Sequence, residues 1–246
     1  MTGVKPDASA FGRLAVVNLP SPVLLHRTVW SYDGLSLADL LALLDSAGRL
    51  KQAARAGKAS APLRSKNLAL LGDATNELLR RAATELGAKV ASLSSAGGNV
   101  LNGSARLLGR LYDAVDGGPM SPAALEQLAQ EADVPVFNGL GTDDHPTRML
   151  AELLAMQEHT DKPLSALKVL FVGDLHTPCG HALRHAAALT GIDLCLDGAQ
   201  AGADFVIDAS NPARWTLSDG TKAISDEERA DDRRFIVQAL LVNTIS

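Results

Sequence analysis

The chain predicts an α/β protein of two tandem parallel-sheet units. Three observations carry this expectation. Short apolar runs alternate with longer segments in which leucine and alanine recur at helical spacing. Capping residues and glycines punctuate the boundaries between them. A polar stretch at 160–166 separates two such series, and strands that alternate with helices place helices on both faces of parallel sheets.

Taken in order, Ser36 caps a helix in which Leu37, Leu40, Leu41, Leu44 and Ala47 share a face, and Gly57 stands just past its end. Residues 67–71 read as a buried strand. A helix follows over 76–86, stopped by Gly87, and then a strand over 89–93. Residues 100–111 are helical by spacing. Ser121 and Pro122 form a cap with proline at the first helical position, opening a helix through Ala132. Residues 134–137 form the next strand. It leads through Asn138-Gly139 and an acidic turn to His145-Pro146-Thr147, which opens a helix with Met149, Leu150, Leu153, Leu154 and Gln157 on one face. Past the linker come a strand over 168–173, a helix over 179–189 ended by Gly191, strands over 193–196 and 205–208, and a last helix over 226–242.

Composition narrows the function classes. The 246 residues are 46% apolar and 21% charged, with a net charge of −5 and no dominant Lys/Arg cluster, which argues against nucleic-acid and membrane-surface binding. Two cysteines, Cys179 and Cys195, give no disulfide framework, so a reducing cytoplasm is expected. The start, MTGVKPDASAFGR, has no long apolar segment, and no run of 18 apolar residues occurs.

The segment FNGLGTDDHPTRMLAELLAMQEH (137–159) resembles the "NGL…HPTQ…QEH" region of aspartate and ornithine carbamoyltransferases. The resemblance, nearer to the ornithine enzymes, spans Leu24 to about Leu194 and more loosely the closing helix. It implies a first unit that binds carbamoyl phosphate, a second that binds an amino-acid acceptor, and a final helix that returns to the first. It implies domains at 1–160, 161–225 and 226–246, and trimers with active sites between subunits. His145 would polarise the carbamoyl carbonyl.

The chain departs from that pattern where phosphate is held. The family's Ser-Thr-Arg-Thr-Arg loop falls at 72–76, which reads Gly72-Asp73-Ala74-Thr75-Asn76; only Thr75 matches. A further family arginine falls at Gly118, and the glutamine of HPTQ is Arg148. Phosphate sites at helix N-termini rely on backbone N–H groups and bidentate arginines. At roughly 1.5–3 kcal/mol per charged hydrogen bond, two lost arginines remove on the order of 3–6 kcal/mol, or ~100- to 10,000-fold in affinity. The family's His-Cys-Leu-Pro and Ser-Met-Gly strings are absent, and only eight residues separate Leu196 from Phe205, so against the family pattern the second of the two α/β units is expected to be reduced.

The substrate-binding candidates are therefore Thr75, His145 and Arg148, with His145 the one catalytic candidate. Each has a plainer reading: Thr75 as a helix cap, His145 as a group satisfying nearby backbone, Arg148 as a solvated or interface arginine. The 72–76 loop and His145 are expected to face one cavity. His176, Cys179, His181 and His185 follow a strand end, yet Cys-x-His-x3-His lacks a fourth ligand, so no metal is assigned. No GxGxxG follows that strand, so no nucleotide or other cofactor is expected. Asp231-Asp232-Arg233-Arg234 reads as a solvated first turn of the last helix. Three functions remain open. One is a degenerate carbamoyltransferase kept as partner, scaffold or sensor, in a homotrimer or with an active paralogue. Another is an active, shortened enzyme using carbamoyl phosphate and an amino acid. The third, compatible with Arg148, is a carbamoyltransferase fold recruited to another anionic ligand.

Overall fold

The computed structural model describes residues 34–72, 76–93, 104–118, 120–142, 145–196, 202–211 and 214–245. Thr75, the start of the helix expected at 100, and residues 197–201 lie outside that set. Local chemistry sets many of the boundaries. Ser36 and Asp39 cap each other in a capping box that opens α1 (Leu37–Arg55). Asn76 caps α2 (Glu77–Glu85), and Ser121 caps α4 (Pro122–Ala132) with proline at its start. Gly191, at φ 79°, closes α6 (Pro178–Thr190) in the left-handed conformation that glycine adopts at little cost.

The first sheet joins β1 (Asn67–Leu71), β2 (Lys89–Leu93), β3 (Ala114–Asp116) and β4 (Val136–Phe137) in the order β2-β1-β3-β4, all parallel. The second joins β5 (Lys168–Val172), β6 (Asp193–Leu196), β7 (Phe205–Asp208) and β8 (Thr216–Ser218) in the order β6-β5-β7-β8. In this sheet β8 runs antiparallel to β7, so the second unit is mixed rather than wholly parallel. Both β3 and β8 are three-residue strands that sequence periodicity does not reveal. The strand expected over 134–137 is paired only at Val136 and Phe137.

Side-chain alternation divides the first core. Leu68 and Leu70 join a cluster with α1, α5 (Thr147–Glu158), α7 (Asp226–Ile245) and residues of the second sheet. Ala69 and Leu71 face the other way, onto α3 (Ala105–Leu111) and α4. The buried face of α1 is Leu40, Leu43, Leu44 and Ala47. Leu37 and Leu41, expected on that face, are 42% and 43% exposed. At roughly 100° per residue they fall on the rim of the stripe that Leu40, Leu44 and Ala47 define. Among the described residues, no helix is long and apolar enough to cross a membrane.

The closing helix α7 packs along α1, α2 and α5, and it corrects one sequence expectation. Its first turn is Asp226, Glu227 and Glu228, so the charged run at 231–234 lies a turn deeper. Asp232 is 0% exposed. The Lys51 ammonium, itself buried on α1, bridges Asp232 and Glu158 of α5, with 2.6 Å to Glu158 Oε2. Arg234 pairs with Asp231 and with Glu85 of α2. Burial opposes charge on Lys51, but its two carboxylates outweigh that and raise its pKa. Burial pushes Asp232 up to about 6 against the pull of Lys51, so both groups are charged at neutral pH.

Removing one member of such a group strands the other. Lys51→Met is expected to cost about 3–5 kcal/mol in urea unfolding at neutral pH. Lys51→Met combined with Asp232→Leu should recover most of the loss. The single-variant penalty should shrink near about pH 5, where a protonated Asp232 needs no counter-charge. A single variant as stable as the parent would show that the bridge contributes nothing.

Candidate functional site

Open parallel sheets bind ligands beyond the carboxyl ends of their strands, where the strand order reverses. In the first sheet that place lies between β1 and β3. Gly72 follows β1 with φ 94°, and Asn76 opens α2, its Oδ1 accepting the Leu79 N–H at 3.1 Å. Asp116, the last residue of β3, is buried beside it. Asn76 Nδ2 donates to Asp116 Oδ2 at 3.0 Å, and Asp116 Oδ1 accepts the N–H groups of Gly139 at 2.6 Å and Gly118 at 3.3 Å. Burial raises the Asp116 pKa, while these three donors pull it down without reversing the rise.

The acid therefore ties three loops together: the β1–α2 junction, the turn after β3 and the turn after β4. Close packing follows. A Cβ on Gly141 would lie 1.9 Å from Asn76 Oδ1. Gly118 has φ 53°, and a Cβ there would meet the Leu71 carbonyl oxygen at 3.1 Å. An arginine at 118 would thus have to enter left-handed backbone, which disfavours L side chains by roughly 1–2 kcal/mol. Any L side chain at 118 would carry that strain.

His145 is buried at the start of α5. Its Nδ1 accepts the Thr147 N–H at 3.1 Å, which leaves the proton on Nε2, 3.0 Å from Asn138 Oδ1. The Thr147 hydroxyl donates to the Leu140 carbonyl at 2.8 Å. The ring thus caps its own helix and braces the turn from β4. These contacts fit the plainer reading of His145, a group that satisfies the backbone around it.

Arg148 lies one turn on and lines a different hollow. A cleft of ≈ 420 Å³ opens between α2, α5, the approach to β8 and α7. Its lining includes Leu78, Gly141, Arg148, Glu152, Arg214, Trp215, Asp226, Arg229 and Arg233. His145 is not among the lining residues; Gly141 and Arg148, on either side of it in sequence, are. Gly72 and Asn76 are not among them either, so this cleft is not the cavity expected to join His145 to the 72–76 loop.

The charges of the cleft are organised around Trp215. Arg229 binds Glu152 through both Nε (2.8 Å to Oε2) and Nη2 (2.6 Å to Oε1), and its Nη1 donates to the Trp215 carbonyl at 2.9 Å. Both side chains are buried, and this bidentate geometry is the strong form of an ion pair. The Arg148 guanidinium lies 4.5 Å from the Trp215 ring centroid, and that of Arg229 lies 5.8 Å away. Arg214 pairs with Asp226 at 2.9 Å. Sequence spacing singles out Arg148 but none of Glu152, Trp215 or Arg229, which meet only through tertiary packing.

The histidine–cysteine run sits on and before α6. His176 and His181 meet edge to face with centroids 6.4 Å apart, and His181 Nδ1 is 2.7 Å from Arg184 Nη2. Burial pushes the Cys179 thiol up to about 12, which keeps it protonated and unreactive at neutral pH. Among the described residues the only gathering of three metal-type ligands is Glu158, Glu228 and Asp232, and Lys51 already bridges two of them.

Comparison with known proteins agrees with this architecture. A family model described as aspartate/ornithine carbamoyltransferase, carbamoyl-P binding domain, matches residues 27–158, more than half of the chain. A catabolic ornithine carbamoyltransferase of Rhizobium meliloti is 34% identical over 184 residues, covering 71% of this chain and 55% of the relative. One from Burkholderia mallei is 35% identical over 211 residues, covering 79% and 63%. The chain thus spans between about half and two thirds of the length of the curated relatives it matches. Among solved structures, an ornithine carbamoyltransferase from Gloeobacter violaceus superposes with a TM-score of 0.62 at 23% identity, covering 88% of this chain and 97% of that one. An aspartate transcarbamoylase from Trypanosoma cruzi, in complex with carbamoyl aspartate and phosphate, superposes with a TM-score of 0.68 at 16% identity, covering 94% and 100%. These two likenesses speak for the fold. With the family model matched over the first sheet and its helices, the chain belongs to the aspartate/ornithine carbamoyltransferase family.

Proposed function

We propose that this chain is a catalytically degenerate member of its family, serving as a partner, scaffold or small-molecule sensor in place of carbamoyl transfer. The observation that carries the reading is Asp116. A buried carboxylate stands one hydrogen bond from the cap of α2, where the family's phosphate group would need cations. The positions matching the two phosphate-gripping arginines are Ala74 and Gly118, and the Gly118 backbone is bent to donate to that same acid. Preorganised donors aimed at a developing oxyanion supply much of an acyl-transfer rate, and the His145 nitrogens are turned toward Thr147 and Asn138 instead.

In this reading residues 1–160 keep the carbamoyl-phosphate-type framework, 161–225 form a reduced acceptor-type unit, and 226–246 return to the first. Thr75, His145 and Arg148 are what remains of the substrate set, weakly serving carbamoyl phosphate or another small anion. The assembly is a cytoplasmic homotrimer or a mixed trimer with an active paralogue, in which the preserved helical framework supplies the contacts. The competing reading, an active shortened enzyme that carbamoylates an amino-acid amine, draws on the retention of His145 at the β4–α5 turn.

Carbamoyl phosphate is expected to bind with a Kd of about a millimolar or weaker in calorimetry at physiological salt. No carbamoylated product should form from ornithine or aspartate. Micromolar binding with turnover would establish the active enzyme. Native mass measurement should find a trimer, alone or mixed; a monomer at all concentrations would remove the scaffold role.

The same acid makes a pH prediction. The folded pKa of Asp116 is raised from 3.8, so the native state holds a proton that the unfolded chain releases. The contribution of this group to stability therefore falls as pH rises from 3.8 through the folded pKa. Asp116→Asn should remove that part of the slope in urea unfolding measured across the carboxylate range. An unchanged slope would mean that Asp116 titrates normally.

A further inference from the structure

We propose that the cleft beside Trp215 is a binding site for a small carboxylate, anchored by Arg148. The proposal rests on the reading that this cleft no longer serves carbamoyl transfer, and it names what the cleft takes instead.

Four guanidinium groups line the cleft, those of Arg148, Arg214, Arg229 and Arg233, against two lining carboxylates, Glu152 and Asp226. Both carboxylates are already engaged. Arg229 grips Glu152 bidentately and also reaches Asp226 at 3.3 Å, while Arg214 takes the other Asp226 oxygen at 2.9 Å. Arg233 donates to the Thr142 carbonyl. Arg148 is different: among the described residues its guanidinium has no ion pair and no hydrogen bond, only the face of Trp215 at 4.5 Å. A guanidinium laid on a buried indole is held in a fixed plane, with its donor edge preorganised for a planar, two-oxygen acceptor. The Trp215 indole N–H is itself buried with no acceptor.

The chemistry selects a carboxylate over a phosphate. One uncommitted planar fork matches one carboxylate, whereas a phosphate dianion calls for several cations at once. Leu78 and Ala151 give the same cleft an apolar wall for a short carbon body, and a volume of ≈ 420 Å³ is within the range of small-ligand sites. This arrangement uses neither the loop at 72–76 nor His145, so the anion-binding centre lies at the first turn of α5 and not at the α2 cap.

The test is a titration of the full chain with sodium butyrate, followed by the Trp215 indole N–H resonance in nitrogen-labelled protein. Trp30→Phe identifies which of the two indole signals is which. Butyrate should shift the resonance saturably, and inorganic phosphate should bind more weakly. Arg148→Gln should weaken butyrate binding roughly tenfold to a hundredfold. Arg148→Lys, which keeps the charge but loses the fork, should weaken it less. Arg81→Gln, at an exposed pair on α2 outside the cleft, should leave it unchanged. A thermal melt of each variant establishes that it is folded; should the glutamine variant not fold, the lysine variant decides. No saturable shift in the parent, or binding unaffected by both Arg148 variants, overturns the proposal. Tighter binding of phosphate than of butyrate overturns the choice of a carboxylate. Turnover of carbamoyl phosphate would instead defeat the degenerate reading, an outcome separable from either of these.

Discussion

The bidentate pair between Arg229 and Glu152 is the joint on which the rest of the structure turns. It links α7 to α5, and through the Trp215 carbonyl it fixes the approach to β8 in the second sheet. Two charges removed from water are tolerated only when geometry and extra hydrogen bonds compensate them, and here one guanidinium makes five donor contacts. Asp232 lies three residues further along α7, on the neighbouring turn, and reaches Lys51 on α1. One helix thus carries two buried ionic contacts to two different helices. Together they set its rotation and its height, which apolar contacts alone leave less sharply specified.

A second constraint operates at the ends of the first sheet. Asp116 collects donors from Asn76, Gly118 and Gly139, so three loops that could have opened around a phosphate are drawn onto a carboxylate. The result is a closed polar knot at the carboxyl ends of β1, β3 and β4. Positive charge is instead concentrated a few residues away, along the walls between α5 and α7.

Much of the framework was legible in the residues. The caps at Ser36 and Ser121, the glycine stop at 191 and the alternation of apolar runs place the main helices and most strands, because these are local effects. The HPTR segment was legible as a motif, and it marked the family correctly. The orientation of the His145 ring was not, since it depends on Thr147 and Asn138 meeting in space. Strands β3 and β8 escaped because three residues are too few to show a period. The run at 231–234 looked like a solvated turn because a charge pattern cannot show that Lys51, far away in sequence, waits to bury one member of it. Trp215 was silent for the same reason: a single aromatic residue acquires meaning only from what it touches.

The position of α7 has a consequence for how the molecule is made. Lys51 and Asp232 lie 181 residues apart, yet they share one buried contact in the first unit. As the chain is synthesised from its beginning, the first sheet and α1 emerge long before the helix that covers them. Until then Leu40, Leu43, Leu150 and Leu154 lack part of their cover, and a cluster meant for the interior faces solvent. Closing so long a loop is slow, because its entropy is lost before the distant contacts form. The step that completes the core of the first unit is therefore the arrival of α7, from the far side of the second sheet in sequence.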